Sequence, residues 1–317
     1  MDTSVADAWQ LLNWHVIDPK NIGDLLAAPS RYLTLAADQK AIDLRRLDPE
    51  ARDQTQAESL LGDRPIAHVV GGGGLLFDRF KPAIQALVQQ RQQSPDRTKL
   101  IAWGPGQQIY GKFTPQQIQN FDYRPYLDGF DLVGLRDAHV ENLGLGYHWL
   151  PCASCLHPAF DQPRLIRHEF VVFSHKKFQI DFPDFPRMTN EETDFETVLN
   201  FLGSGETILT SSYHGAYWGT LLGRRVLAFP FTSKTHTLKH QPGIFPIERW
   251  RPAGWQLKLL GKTWIDRRRY DQFTCDVTGW QRFLKQCRTY PESLQETRDR
   301  NHWFYQQVRE LISAGPT

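Results

Sequence analysis

The sequence has no long hydrophobic run and little net charge, and each shortage excludes a class of protein. No apolar run approaches the roughly 20 residues needed to cross a bilayer. The N-terminus, MDTSVADAW, is too acidic and polar for a secretory signal. The net charge of +2 provides no general positive field for nucleic acid, whose binders concentrate basic residues on one face. We therefore predict a cytoplasmic protein with no transmembrane segment and no nucleic-acid partner.

The chain also has only four cysteines and no complete metal motif. Cys152 and Cys155 form a single C-A-S-C pair after an apolar strand end. This favours reduced, partly buried thiols over a metal site, a redox pair or a disulfide. His236 and His240 lie in HTLKH, which lacks the glutamate of the zinc motif H-E-x-x-H. We expect no metal, and we interpret HTLKH as a basic loop over a ligand crevice.

What the chain does have is an alternation of short apolar runs and helical patterns. The apolar runs predict strands at Gln10–Val16, Ile66–Val70, Leu100–Trp103, Asp131–Leu135, Tyr147–Leu150, Phe170–Phe173, Ile208–Leu209 and Val226–Phe229. Helical spacing predicts helices at Leu25–Leu33, Phe80–Gln90 and Thr193–Leu202. Such alternation is typical of parallel sheets with helices on both faces. The polar stretch Asp161–His168 is a plausible linker. We predict two doubly wound α/β domains, residues 1–162 and 163–317.

Polar or glycine-rich groups follow most of these strands. In doubly wound sheets the carboxyl ends of the strands face the ligand crevice, so these groups should meet there. A glycine run such as Gly71–Gly74 lets a backbone approach a ligand closely, although a tight turn without a ligand stays an alternative. Asn21 and Asp24 are also explained by an ordinary helix start. The loop residues expected to line the crevice are Asn21, Gly23, Gly72, Gly73, Gly104 and Gly106.

The most informative stretch is Thr207–Ser233, which predicts a strand, a polar turn, a helix and a second strand. A turn that leaves a strand and opens a helix directs backbone N–H groups and the positive end of the helix dipole at one point, which suits phosphate or carboxylate. Ser211, Ser212 and His214 lie at that point. The dipole disfavours the charged imidazole, so His214 should be neutral until a bound phosphate restores its proton. The alternative is a histidine that only caps or packs.

Basic side chains at other strand ends can add charge to the same anion site. Arg136 can bind a carboxylate or phosphate with two N–H groups, but an ion pair with Asp137 or Asp131 is equally consistent. Lys176 and Lys177 follow a strand, and a solvated loop is the alternative for either one.

The ordered set of these loops resembles the polysaccharide pyruvyl transferase family. The matching pieces are Asn21-x-Gly-Asp24, Gly71-Gly-Gly-Gly74, Gly104-x-Gly106, Gly134-x-Arg136-Asp137 and Thr210-Ser-Ser-Tyr-His214-Gly215. The resemblance spans roughly Trp9 to Pro242, and the last two pieces carry most of it. It implies two Rossmann-like domains facing a cleft, as in GT-B glycosyltransferases. It also implies transfer of the pyruvyl group of phosphoenolpyruvate to two hydroxyls of a sugar, which gives a cyclic pyruvate ketal and releases phosphate.

On this resemblance, the N-terminal domain should hold the acceptor and the C-terminal domain should hold phosphoenolpyruvate, a co-substrate that makes a cofactor unnecessary. The expected catalytic residues are His214 as general acid or phosphate-orienting group, Arg136 on the donor anion, and Asp24 as base. The expected donor ligands are Ser211, Ser212, His214, Arg136, Lys176, Lys177 and Lys234. The acceptor would be a glycan or a lipid-linked oligosaccharide of polysaccharide biosynthesis. A lipid-linked acceptor would bring the protein to the inner face of the membrane.

Two other functions stay open at this point. A GT-B-like glycosyltransferase would use the same crevice, with the diphosphate of a nucleotide sugar on the second domain. A catalytically silent glycan-binding protein fits less well, because sugar binding alone needs aromatic and amide groups more than an anion cradle. An oligomer is compatible with all three functions.

Overall fold

Two parallel β-sheets form the frame of this α/β protein. A computed structural model describes residues 9–47, 64–254, 256–259 and 262–313. The two sheets follow one another along the chain, as the alternation of strands and helices predicts. The division at residues 162 and 163 falls between the last strand of the first sheet and the first strand of the second, and as a domain boundary it stays a prediction.

The first sheet has six strands, all parallel, in the order β2-β1-β3-β4-β5-β6. The strands are β1 (Gln10–His15), β2 (Asp38–Asp43), β3 (Ile66–Gly71), β4 (Thr98–Trp103), β5 (Leu132–Leu135) and β6 (His148–Trp149). The helices of this half are α1 (Ile22–Leu25), α2 (Lys81–Gln93), α3 (Pro115–Gln119) and α4 (Arg124–Leu127). The five strands predicted here are confirmed. Strand β2 had no prediction, because its sequence DQKAID is mostly polar and half exposed at the sheet edge.

The second half of the chain contributes another parallel sheet and a smaller antiparallel region. Its elements are β7 (His168–Ser174), β8 (Phe178–Gln179), β9 (Arg187–Thr189), α5 (Phe195–Gly203), β10 (Gly205–Thr210), α6 (Tyr213–Leu221), β11 (Arg225–Ala228), β12 (Gly243–Ile244), β13 (Arg251–Ala253), β14 (Gln256–Leu259), β15 (Lys262–Asp266), β16 (Arg269–Thr274) and α7 (Ser293–Ser313). The parallel sheet has the order β12-β11-β10-β7-β9. Strand β16 pairs with β13 and β8, while β14 and β15 form a hairpin.

Both parallel sheets are covered on both faces, which explains why their central strands are almost wholly apolar. Every residue of β3 is buried. The last helix of the chain, α7, covers one face of the first sheet, where the Phe304 ring packs edge-on against Trp103 at 4.9 Å. Helices α5 and α6 cover one face of the second sheet. None of the helices in the described ranges is long and apolar enough to cross a membrane.

The predicted helix Leu25–Leu33 is wrong. Helix α1 ends at Leu25, and only a short 3-10 turn follows at Pro29–Arg31. Proline disfavours the helical conformation of the residue before it. Ala28 is accordingly extended, with φ −72° and ψ 123°. The chain therefore bends away after one turn, and this leaves Asn21–Asp24 at the end of β1 as a loop-like corner.

Candidate functional site

Loops that follow the carboxyl ends of both parallel sheets line a cavity of about 430 Å³, which we call the central cavity. The loops after β1, β3, β4 and β5 form its N-terminal side, with Asp18, Asn21, Asp24, Gly73, Gln108 and Arg136. The loops after β7, β9, β10 and β11 form its C-terminal side, with His175, Lys176, Lys177, Asn190, Ser212, His214 and Lys234. The volume is in the usual range for small-molecule sites, and the position is the one at which parallel α/β sheets bind ligands.

The central cavity brings together most of the residues that the sequence singles out. The predicted residues that line it are Asn21, Asp24, Gly73, Arg136, Lys176, Lys177, Ser212, His214 and Lys234. Two further predicted glycines lie directly behind this lining. A Cβ atom on Gly23 would lie 2.0 Å from Nδ1 of His214, and one on Gly106 would lie 2.5 Å from Nε of Arg136. A larger residue at either position would displace the side chain of His214 or of Arg136.

Three predicted residues are placed elsewhere. Ser211, expected as a phosphate ligand, donates its hydroxyl hydrogen to the Phe178 carbonyl and accepts from the backbone N–H of His175 at 2.9 Å. It therefore organises the loop after β7 and does not face the central cavity. Gly72 is packed against the backbone of Ala27, and Gly104 lies close to the Leu150 carbonyl. Both glycines have positive φ, so they serve the turns after β3 and β4.

Arg136 is a buried cation with free donor atoms. The residue is 2% exposed, and within the described residues its Nε and Nη2 atoms have no hydrogen-bond partner. The guanidinium lies over the Tyr213 ring, 3.9 Å from its centroid. Buried donors are almost always paired in proteins, and leaving them unpaired costs free energy. Arg136 also lines the central cavity, so its positive charge can attract an anion bound there.

The ion pairs that the sequence allows for Arg136 do not form. Asp137 accepts from the Gln107 backbone N–H at 2.8 Å and from the Tyr123 hydroxyl at 3.0 Å. Asp131 pairs instead with Arg91, at 3.1 Å. Asp131 is thus engaged by another side chain, and Asp137 is engaged through Oδ2, while its Oδ1 is buried with no hydrogen-bond partner among the described residues.

Asp24 and Lys234 face the central cavity from opposite sides, and burial moves the pKa of each toward neutrality. Burial raises the pKa of Asp24 to about 6, against the opposing pull of Lys234 and Arg136. Burial, with repulsion from Arg136, lowers the pKa of Lys234 to about 8. Asn21 donates to Oδ2 of Asp24 at 2.7 Å and fixes its orientation. A carboxyl group with a pKa near 6 is well suited to exchange protons at neutral pH.

His214 is the second residue of α6, whose N-cap Ser212 accepts from the backbone N–H of Gly215 at 3.3 Å. Its side chain is almost fully buried, and burial lowers its pKa well below the usual value, with further repulsion from Arg136 and Lys234. The imidazole is therefore neutral at pH 7. Its Nε2 atom lies 3.6 Å from Sγ of Cys152, which leaves Nδ1 as the nitrogen on the side of Gly23.

Polar contacts tie the two sides of the cavity together. Lys176 pairs with Asp18 at 2.6 Å, and Asn190 donates to the side-chain oxygen of Asn21 at 2.8 Å. His175 is neutral, because burial and the neighbouring lysines lower its pKa to about 3. These contacts fix the relative positions of the loops on the two sides of the cavity.

Aromatic rings form part of the cavity wall. Phe178 stacks on Phe231 with a centroid distance of 4.0 Å and an interplanar angle of 4°, and on Phe273 at 5.2 Å. On the N-terminal side, Phe77 packs against Tyr110, which is 55% exposed. Flat apolar faces of this kind suit a sugar ring or a nucleobase.

Sequence reasoning did not single out Asp18, Asn190 or the phenylalanine stack as site residues. Asn190 follows β9, a strand of three residues that leaves no periodic signal. The Phe178–Phe231 stack joins residues far apart in the chain, so no local pattern could reveal it. His175 directly precedes Lys176, which the sequence did single out. That position was the available signal for His175 as a residue of the site.

The HTLKH segment does not line the central cavity, contrary to our interpretation of it as a basic loop over the crevice. Nε2 of His240 lies 2.6 Å from a carboxylate oxygen of Glu296 on α7, and His236 packs against the Phe113 ring. Over the ranges that the structure describes, no three His, Cys, Asp or Glu side chains come together as a metal-ligand set.

Comparisons with known proteins give no family. No protein-family model matches the chain, and no curated protein matches it. The solved structure of a functionally uncharacterised protein from Klebsiella pneumoniae subsp. pneumoniae NTUH-K2044 is similar over 72% of this chain and 85% of that chain, with 15% identity and a TM-score of 0.38. Likeness at this level says nothing about function. The resemblance to the pyruvyl transferase family therefore stays a prediction.

Proposed function

We propose that the protein is a pyruvyltransferase, which moves the pyruvyl group of phosphoenolpyruvate onto two hydroxyls of a glycan sugar. The observation that carries this proposal is the buried guanidinium of Arg136, whose Nε and Nη2 atoms have no hydrogen-bond partner among the described residues. It shares one cavity with Lys234 and with a carboxyl group of raised pKa at Asp24. Under this proposal the two parallel sheets belong to two Rossmann-like domains in a GT-B-like arrangement.

The cationic groups suit a donor with two anionic ends. Phosphoenolpyruvate carries a phosphate and a carboxylate, and a guanidinium can hold either with two hydrogen bonds. Lys234 supplies a second positive charge, and Ser212 and His214 begin helix α6 beside it. Of the two roles predicted for His214, a neutral imidazole favours orientation of the phosphate over delivery of a proton.

The reaction balances without a cofactor. Protonation of the donor methylene carbon and attack of a sugar hydroxyl at the neighbouring carbon form one C–H and one C–O bond. The C–O bond to phosphate then breaks, its electron pair leaves with phosphate, and the second hydroxyl closes the ketal. The two sugar hydroxyls release two protons. One replaces the proton that the new methyl group has gained, and the other leaves with the phosphate group as hydrogen phosphate. We assign Asp24 as the base that accepts the first hydroxyl proton, because its pKa is near 6.

The acceptor would lie against the aromatic part of the cavity wall. The rings of Phe77 and Tyr110, which line the N-terminal side expected to hold the acceptor, can pack on the C–H face of a sugar. A glycan chain or a lipid-linked oligosaccharide could then continue outward past Tyr110.

The phenylalanine stack also favours a second candidate, a GT-B-like glycosyltransferase. A nucleobase could stack on Phe231, with the diphosphate of a nucleotide sugar near Lys234 and Arg136. The two functions differ in their donor, so a direct test of donors separates them.

The test is incubation of the purified protein with phosphoenolpyruvate and a panel of β-galactosides. The proposal predicts phosphate release that depends on the sugar, together with a product whose mass has increased by one pyruvate ketal. A thermal shift with nucleotide sugars and none with phosphoenolpyruvate would instead support the glycosyltransferase. Asp24→Asn is the matched inactive control, because it keeps the size of the side chain and removes the base.

A further inference from the structure

Buried polar side chains of the C-A-S-C segment connect Trp218 on helix α6 to His214, one turn earlier on the same helix. Trp218 donates its indole N–H to Oγ of Ser154 at 2.9 Å, and this Oγ lies 3.3 Å from Sγ of Cys152. Sγ of Cys152 lies 3.6 Å from Nε2 of His214. Trp218, Ser154 and Cys152 are each 0% exposed. The proposed reaction uses none of these three side chains.

The direction of these hydrogen bonds follows from Trp218. An indole nitrogen can only donate, so Oγ of Ser154 must accept from Trp218. The serine hydroxyl then has one hydrogen to donate, and within the described residues its second partner is the Cys152 thiol. If the thiol donated to Ser154 instead, the buried hydroxyl hydrogen would be left without an acceptor, which is unfavourable. Once Sγ accepts from Ser154, the thiol hydrogen is left to donate, and among the described residues Nε2 of His214 is the other polar side-chain atom within hydrogen-bond distance of Sγ.

We infer that Cys152 is a positioning residue that fixes the tautomer of His214, with the proton on Nδ1 and Nε2 as the acceptor of the thiol hydrogen. A neutral imidazole has one N–H donor, and the hydrogen bond to its other nitrogen decides which one it is. His214 thus presents an N–H donor from Nδ1, the nitrogen that makes no hydrogen bond within the described part of the chain. The ring lines the central cavity, so under the proposed function the tautomer decides which of its nitrogens offers a hydrogen to an anion bound there.

A thiol is suited to this role in a cationic cavity. A carboxylate at position 152 would accept from Nε2–H, and it would favour the charged imidazole. The thiol is a weak, uncharged donor, so it orients the ring without adding negative charge beside Arg136. The tautomer does not depend on the identity of the ligand, whereas its consequence for anion binding rests on the proposed function.

The test is a long-range ¹H–¹⁵N correlation spectrum of the histidine side chains at pH 7, with the His214 signals identified by their loss in His214→Gln. The wild-type protein should show a protonated Nδ1 and an unprotonated Nε2. Cys152→Ser should keep this pattern, because a hydroxyl also donates to Nε2. Cys152→Ala should lose it, since Nε2 would have no donor. Cys155→Ala is the matched control, because it empties a similar volume in the same segment and should leave the His214 signals unchanged.

Binding of inorganic phosphate provides the second readout. Cys152→Ala should weaken phosphate binding about tenfold, the usual size for one hydrogen bond to a charged group, and Cys152→Ser should restore it. A protonated Nε2 in the wild-type spectrum would overturn the inference, as would an unchanged spectrum in Cys152→Ala. A protein with the expected tautomer that binds phosphate but not phosphoenolpyruvate would retain this inference and contradict the proposed function.

Discussion

The two sides of the central cavity differ in charge. On the C-terminal side, the described lining residues include Lys176, Lys177 and Lys234 and no carboxylate. On the N-terminal side, the lining carries both of the cavity's carboxylates, Asp18 and Asp24. Under the proposed function, this contrast assigns anion binding mainly to the C-terminal loops and proton exchange to the N-terminal loops. Substitutions on the N-terminal side should therefore alter turnover, and substitutions on the C-terminal side should alter the affinity for phosphoenolpyruvate.

Arg136 lies in the N-terminal half of the chain, but its side chain contacts a residue of the C-terminal half. It follows β5, yet its guanidinium lies on the ring of Tyr213, the first residue of α6. Under the proposed function, a residue that follows a strand of the first sheet therefore completes the anion site. This explains why neither sheet alone holds the full set of groups that the proposed donor needs.

The largest expected effect is on the proton-exchanging side. Asp24→Asn should lower turnover about 10²–10⁴-fold, the usual contribution of a general base. Binding of phosphoenolpyruvate should be unchanged or tighter, because a negative charge is removed. Phosphate release and calorimetric titration measure the two quantities. Asp18→Asn is the control, since Asp18 is a cavity carboxylate already paired with Lys176. Equal losses of turnover in both variants would remove the special role of Asp24.

On the anion-binding side, Lys234→Gln should weaken phosphoenolpyruvate binding about 10- to 100-fold, because a buried charge that contacts an anion is worth about 1.5–3 kcal/mol. Lys177→Gln is the matched control and should have a smaller effect, because Lys177 is exposed and solvent screens its charge. Calorimetric titration of both variants gives the comparison. A larger loss in Lys177→Gln would place the anion nearer the mouth of the cavity than we propose.

The third prediction concerns the point where the two sides touch. A Cβ atom on Gly23 would overlap the His214 ring, so Gly23→Ala should destabilise the fold by about 1–3 kcal/mol. His214→Ala removes the ring and should relieve the clash, so the double variant should be more stable than Gly23→Ala alone. Urea unfolding of the four proteins measures this coupling. Additive losses would mean that the two residues are not in contact.

The fourth prediction concerns the pH dependence of kcat/KM. Asp24 must be ionised to act as a base, so kcat/KM should rise about tenfold per unit up to about pH 6, the pKa to which burial raises this carboxyl. Lys234 must be charged to bind the anion, so kcat/KM should fall above about pH 8, because burial lowers its pKa to that value. Lys234→Arg should move the alkaline limb to higher pH and leave the acid limb in place. An alkaline limb that does not move would assign it to another group.

The strand ends were predictable because each carries a local signal. An apolar run followed by a polar or glycine-rich group marks the carboxyl end of a buried strand, and parallel topology then gathers these ends. Residues such as Asp24, Arg136, Lys176 and His214 therefore share one cavity, as expected.

The orientation of side chains was not predictable, because it depends on contacts distant in the chain. Ser211 and Ser212 are neighbours in the same turn, yet only Ser212 lines the cavity, since Ser211 is held by the loop after β7. In the same way, the partner of Cys152 lies on helix α6, and nothing in C-A-S-C itself indicates it.

The most direct test of the proposed donor site is calorimetric titration of phosphoenolpyruvate into the wild-type protein and into Arg136→Met. Methionine keeps much of the length and apolar packing of the side chain and removes its donors. We predict that the wild-type protein binds phosphoenolpyruvate and that Arg136→Met binds it at least about tenfold more weakly, with an unchanged circular dichroism spectrum. Equal affinity in the two proteins, or no binding by the wild-type protein, would contradict the assignment of the central cavity as a site for this donor.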